Sequence, residues 1–233
     1  MKALLSVRQS VNEHGASVDI IEGDYVEYFE SLGLNLHVLS NHTKSDRIEP
    51  LIRDENIEMI ILTGGGDLAS HYYDYVNNGE PQSKRDHLER TLITYALKQS
   101  IPILGVCRGM QHVHAHFGGK LSSVKQTNRI IGKDHPVTLE DDTVIQVNNY
   151  HNDGIKADEF LNEHFNVLAK DEANDIIEGF YATNHLILAI QWHPERPIRS
   201  TYSRKINDTL LKSFIFQGTI HEFTKGKQGD SNK

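Results

Sequence analysis

The chain reads as an α/β protein whose central sheet is mostly parallel and covered by helices. Short apolar runs alternate with amphipathic helical stretches from Lys2 to Phe117, the pattern that parallel strands and crossover helices impose. The run Ile101, Ile103, Leu104 and Val106 suits a buried strand and leads at once into Gly105-Val106-Cys107-Arg108-Gly109. Met110 to Phe117 then continues as a helix-compatible segment. Glycine, nucleophile and glycine between a strand and a helix form the nucleophile-elbow pattern.

Taken in order, Lys2 to Val7 suits a first, central strand, and a polar loop leads to Asp24–Leu32. There Tyr25, Val26, Phe29 and Leu32 recur at helical spacing, and Gly33 supplies a stop. Leu34–Leu39 alternates like a second strand, and Arg47–Asn56 forms a second helix with Ile48, Leu51 and Ile52 on its apolar stripe. Glu58–Leu62, a third strand, runs into Thr63-Gly64-Gly65-Gly66-Asp67. Glycines there let backbone N–H groups approach an anion closely; a flexible loop tip is the alternative, since residues 67–82 look like surface loop. The Gly-Lys-Ser/Thr ending of a nucleotide phosphate loop is absent. Lys84–Ser100 is an amphipathic helix that delivers the chain to the cysteine strand.

After the elbow, His112 and His116 share a helical face while His114 points elsewhere, so the three do not converge on a metal. Leu121–Asp142 mixes short β-like and polar pieces. Val144–Tyr150, Phe165–Lys170, Ile176–Ala182 and Leu186–Gln191 read as strands, the last two joined by a hairpin at 183–185. Thr201–Phe216 closes the chain as a helix, and residues 225–233 read as a polar, disordered tail behind a single domain spanning 1–224.

Composition sets bounds on function. A net charge of −8 argues against a nucleic-acid partner. No apolar stretch reaches the length of a membrane span, and the N-terminus turns polar at Arg8, too early for a signal-peptide core. The single cysteine excludes an internal disulfide and makes the cytoplasm the natural compartment.

Cys107, at a helix N-terminus, sits where backbone dipoles favour the thiolate. A lone cysteine is also commonly a small buried hydrophobe, so the partners decide. The strand 187–191 delivers His193, and in a parallel sheet, strand ends on one side meet in the ligand crevice. Glu195 follows two residues later, with Pro194 stiffening the turn. A carboxylate there can hold one imidazole nitrogen while the other faces the thiol, as a nucleophile–base pair requires.

Six motifs accompany these residues: Thr63-Gly64-Gly65-Gly66-Asp67, Arg85-Asp86-x-x-Glu89, 102–111 around the elbow, Gly118-Gly119, Val147-Asn148-Asn149-Tyr150-His151 and 189–195. In this order and spacing the chain resembles the class I glutamine amidotransferase superfamily, and within it the γ-glutamyl hydrolase branch (peptidase C26), typified by γ-glutamyl-γ-aminobutyrate hydrolase. The resemblance implies a flavodoxin-like fold with a nucleophile elbow and a Cys107–His193–Glu195 triad. It implies an oxyanion hole of backbone N–H groups at Gly65 or Gly66 and at Arg108. It also assigns Gln111 and Asn149, Tyr150 and His151 to the glutamyl half of a small-molecule substrate. No metal and no cofactor is implied, and a homodimer is compatible with it.

The expected reaction is hydrolysis of a γ-glutamyl amide through a γ-glutamyl thioester. The amine half stays open among γ-aminobutyrate, polyamines, amino acids, folate polyglutamates and amidated sugars or nucleotides. Two other readings stand beside it: a glutaminase subunit feeding ammonia to a separate synthetase, and a non-catalytic protein binding a glutamyl ligand or a partner. Two departures from the family pattern occur. Leu68 to Tyr73 lacks the usual proline, on the leaving-group side, and His114 stands where asparagine is common.

Overall fold

The apolar runs of the first half do become strands, and their side chains alternate between two cores. In the computed structural model, which describes residues 1–125, 130–182 and 184–219, the chain begins β1 (Lys2–Leu5), β2 (Arg8–Val11), β3 (Ser17–Ile20), α1 (Gly23–Ser31) and β4 (Asn35–Val38). It continues α2 (Ser45–Asp54), β5 (Met59–Leu62), α3 (Ser83–Gln99), β6 (Ile103–Val106) and α4 (Arg108–His116). Then follow β7 (Ser122–Ser123), β8 (Asp134–Leu139), β9 (Val144–Asn148) and β10 (Asp153–Lys156). The chain ends with β11 (Phe165–Asp171), β12 (Ile176–Ala182), β13 (Ile187–Ile190) and α5 (Thr201–Gln217).

The main sheet runs β4-β1-β5-β6-β13-β12-β11-β8-β9. Its first five strands are mutually parallel, and from β13 onward the pairings turn antiparallel. Because side chains alternate along a strand, Ala3, Leu5, Met59, Ile61, Leu104, Val106, Leu188 and Ile190 face one core. That core is shared with Phe29, Leu210 and Phe214 of α1 and α5. Leu4, Ile60, Leu62, Ile103, Ile187 and Ala189 face the other, with Ile48, Leu88, Leu92 and Val113 of α2, α3 and α4. Burial on both faces is what parallel strands require and why these runs carry no polar register.

Strands also fall where none was expected. The antiparallel pair β2–β3 replaces the polar loop after β1; it is partly exposed and has too few apolar residues to announce itself. β8 lies inside the unreadable segment 121–142, interrupted by Pro136. That proline pairs with Gln146 of β9, whereas β11 pairs only with Thr138 and Leu139, so the missing N–H costs no bond on that side. β10 follows the Asn149–His151 loop and pairs with β12 and β7. The hairpin between β12 and β13 is antiparallel as expected; Thr183 in its turn, like the tail 225–233, lies outside the described residues. Among the described residues no helix is long and apolar enough to cross a membrane.

Candidate active site

Four loops converge at the carboxyl edge of the parallel strands: those after β1, β5, β6 and β13. The loop after β6 is the sharpest. Cys107 has φ +53° and ψ −108°, a sparsely populated backbone region that costs about 1–3 kcal/mol and persists only where its surroundings enforce it. They do. The Cys107 N–H donates to Ile190 O at 2.8 Å, fastening the elbow to β13. A Cβ on Gly109 would lie 2.1 Å from Leu62 O, and one on Gly105 would lie 2.9 Å from the Gly109 backbone. Any side chain at either position would push the elbow off the sheet.

His193 arrives from β13 and is held at its Nδ1 and at both backbone polar groups. Its Nδ1 lies 2.6 Å from Glu195 Oε1. Its backbone is clamped by Asn148, whose Oδ1 accepts from His193 N at 2.9 Å and whose Nδ2 donates to His193 O at 2.8 Å. Burial disfavours charge on this imidazole, but the Cys107 thiolate and the Glu195 carboxylate outweigh it and push the pKa up to about 10. The cysteine and histidine share one wall: a Cβ on Gly64 would lie 2.7 Å from His193 Cε1 and 3.2 Å from Cys107 Cβ. The structure therefore brings Cys107, His193 and Glu195 together.

The glycine strip after β5 is oriented from behind by Arg85. This fully buried guanidinium donates to the carbonyls of Thr63 (2.5 Å), Gly64 (3.1 Å) and Gly65 (2.8 Å). In a planar trans peptide the next N–H points opposite to the carbonyl, so the N–H groups of Gly64, Gly65 and Gly66 turn away from Arg85. The Gly64 N–H is taken by Tyr25 Oη at 2.8 Å. Those of Gly65, Gly66 and Arg108 hold no hydrogen bond to any described residue. Arg85 is in turn fixed by Glu89, which also accepts from Ser6, Arg108 and His112; Arg108 bonds Asp86 as well. Burial favours a neutral Glu89, but Arg108 and Arg85 hold its pKa well below the usual range.

The remaining expected residues divide. Gln111, on α4, is buried with Nε2 donating to Asp153 O (2.9 Å) and near Gln191 Oε1 (3.3 Å). Tyr150 stands at the site itself, edge-on to His193 at 5.6 Å between centroids, with the Arg196 guanidinium 4.2 Å above its ring. His151 is buried, its Nδ1 2.9 Å from Asp153 O and its Nε2 3.5 Å from Glu178 Oε1. Asn149 is buried with neither amide atom hydrogen-bonded. The three helix histidines separate: His112 binds Glu89, and His114 stacks on Phe160 at 6.0 Å. His114 is neutral, burial having pushed its pKa down to about 4. Among the described residues no group of three or more His, Cys, Asp or Glu is arranged to hold a metal ion.

Two residues that sequence reasoning left without a role stand beside the triad. Asn148 was legible only as part of its motif. Tyr25 lies on the apolar stripe of α1, yet its hydroxyl caps Gly64 and sits 3.4 Å from His193 Nδ1; helical spacing carries no sign of that.

The fold is that of solved glutamine amidotransferases. A solved glutamine amidotransferase from Thermotoga maritima shares this fold with a TM-score of 0.63 at 17% identity, covering 93% of this chain and 97% of that one. The Peptidase C26 family model matches residues 2–195, and the chain belongs to that family. It is 29% identical to the glutamine amidotransferase-like protein YvdE of Lactococcus lactis, over 84% of this chain and 87% of that one. It is 36% identical to a gamma-glutamyl-CDP-amidate hydrolase of Campylobacter jejuni over 141 residues, 60% of this chain and 63% of that protein. Family and relative together support a hydrolase.

Proposed function

We propose that this protein is a cysteine hydrolase that cleaves a γ-glutamyl amide through a γ-glutamyl thioester, releasing glutamate and an amine-bearing product. The observation that carries the reading is the joint placement of Cys107 and His193 against Gly64, with Glu195 bound to the far side of the imidazole. The thiolate attacks the amide carbonyl, and the charge that develops on oxygen is met by N–H groups already turned toward the site. Because Tyr25 occupies the Gly64 N–H, the donors available are those of Gly65 or Gly66 and of Arg108; losing one such donor typically costs on the order of 10²–10³ in rate. His193 protonates the departing amine, then takes a proton from the water that hydrolyses the thioester. Glu195 holds the imidazole in the tautomer this requires and stabilises its cation.

The glutamyl half is assigned to the Gln111 side of the elbow. Gln111 Nε2 is engaged by Asp153, so its oxygen is the atom left for the substrate's α-ammonium group. Tyr150 closes the site over His193, while buried Asn149 and His151 shape the wall behind it. The Campylobacter relative's γ-glutamyl substrate agrees with this reaction class. The test is a panel of γ-glutamyl amides assayed for glutamate release by the purified protein alone. Turnover of at least one conjugate, with kcat/KM above that for glutamine, is expected. Glutamine as the best substrate, or activity only with a co-purified partner, would place the chain among glutaminase subunits instead.

A further inference from the structure

The parallel strands stand in the order β4-β1-β5-β6-β13, so the direction in which the sheet grows reverses between β1 and β5. In open α/β sheets, ligands settle in the crevice outside the carboxyl ends of the strands at such a reversal. One side of that crevice here is the glycine strip after β5. The other is Arg8, in the loop-and-hairpin that follows β1.

Arg8 and the strip are in contact: a Cβ on Gly65 would lie 2.9 Å from Arg8 Cδ and 3.8 Å from its Nε. The hairpin is tied down beside the site, since Gln9 N donates to Gln82 Oε1 at 3.0 Å and that oxygen also accepts from Arg85. Arg85, Arg108 and Arg196 each hold a carboxylate. The half-buried Arg8 holds none, and its guanidinium makes no hydrogen bond to any described residue. A guanidinium placed like this presents a planar fork of donors suited to phosphate or carboxylate. On a chain of net charge −8, it supplies the local positive field that an anionic ligand needs.

Position decides which half of the substrate it meets. Gln111 lies on the β6–β13 side of Cys107, bonded toward Gln191 and Asp153. Arg8 lies on the β5–β1 side, beyond Gly65. Acyl chain and departing amine leave the tetrahedral carbon in different directions, so with the glutamyl half over Gln111 the amine half runs across β5 toward β1. We infer that Arg8 binds an anionic group, phosphate or carboxylate, on the amine half of the γ-glutamyl substrate, an inference that rests on the function proposed above.

Two measurements separate the inference from that function. In the first, inorganic phosphate is titrated into the wild-type protein and Arg8→Gln by calorimetry. Wild type should bind, and the variant should bind at least roughly tenfold more weakly, the scale of losing a charge-assisted hydrogen bond. Equal binding, or none by wild type, overturns the inference. In the second, kcat/KM is compared for γ-glutamyl-2-aminoethyl phosphate, γ-glutamyl-β-alanine and uncharged γ-glutamyl-propylamide. At least one anionic amide should lead the uncharged one by roughly tenfold or more. Arg8→Gln should bring the ratio toward one, and Arg8→Lys should restore part of it. Which anionic amide leads distinguishes phosphate from carboxylate. A ratio that Arg8→Gln leaves unchanged overturns the inference while the hydrolase reading stands. Hydrolysis of none of the three by wild type, nor of any other γ-glutamyl amide, overturns the hydrolase reading, and the phosphate titration then judges Arg8 alone.

Discussion

Two polar clusters lie on opposite sides of the glycine strip, and they differ in how completely their bonding is satisfied. Behind it, Arg85 donates to Glu89, Gln82 and the strip's carbonyls, while Glu89 accepts from Arg85, Arg108, His112 and Ser6. In front of it, the N–H groups of Gly65, Gly66 and Arg108 hold no hydrogen bond to any described residue. Elsewhere, the buried side-chain amide of Asn149 and the Nε2 of Gln191 also lack a partner among the described residues. Buried polar groups without partners are costly, and each calls for a water or a ligand to complete it. The rear cluster, densely bonded although His112 Nε2 has no partner among the described residues, holds the strip in shape; the front is where chemistry is expected.

If the two clusters differ in this way, substitutions in them should have different consequences. The largest effect belongs to the front. Cys107→Ala should lower kcat for glutamate release by about 10⁴ or more, since triad members act as a unit, with the thermal midpoint little changed. Retention of more than a few per cent of activity would rule out the thioester route.

Behind the strip, the same test should be read in stability. Glu89→Gln leaves Arg85 and Arg108 buried with a lost counter-charge, and breaking a buried pair in this way costs about 3–5 kcal/mol. Urea unfolding should show that loss as a lower midpoint. An unchanged midpoint would mean that the rear cluster does not hold the fold.

A smaller effect sharpens the contrast, because it removes the same carboxylate charge in front. The His193 pKa is raised to about 10 against burial by Cys107 and Glu195. A raised histidine keeps its proton through neutral pH and loses it only as pH climbs through the folded value. Activity that needs the imidazolium as acid therefore persists well above pH 6.5 and falls on the alkaline side. Glu195→Gln removes one of the raising charges, so the alkaline limb of kcat/KM should move to lower pH. A limb that stays in place would show that Glu195 does not act on His193.

These differences trace back to what a sequence carries. The parallel half was legible because strands buried on both faces are continuous apolar runs and their crossover helices are amphipathic. The elbow was legible because close approach excludes everything but glycine at 105 and 109. The β2–β3 hairpin and β8 were not, since polar, partly exposed strands leave little periodicity and Pro136 argues against one. Cys107, His193 and Glu195 could be named from motif order, yet no motif shows that Arg85 turns the strip's carbonyls away. Nor does any reveal that Tyr25 removes Gly64 from the pool of donors. Those facts arise from contacts between α1, α3 and the β5 loop, residues far apart in the chain.

The thioester route requires that Cys107 become covalently glutamylated during turnover. Acid quench of the protein during turnover of its best γ-glutamyl amide, followed by mass spectrometry of the Cys107 peptide, tests it directly, with hydroxylamine present in a parallel reaction to intercept a thioester. A glutamyl adduct on Cys107 is expected, with γ-glutamyl hydroxamate formed at the expense of glutamate. Steady glutamate release with neither adduct nor hydroxamate would contradict that route.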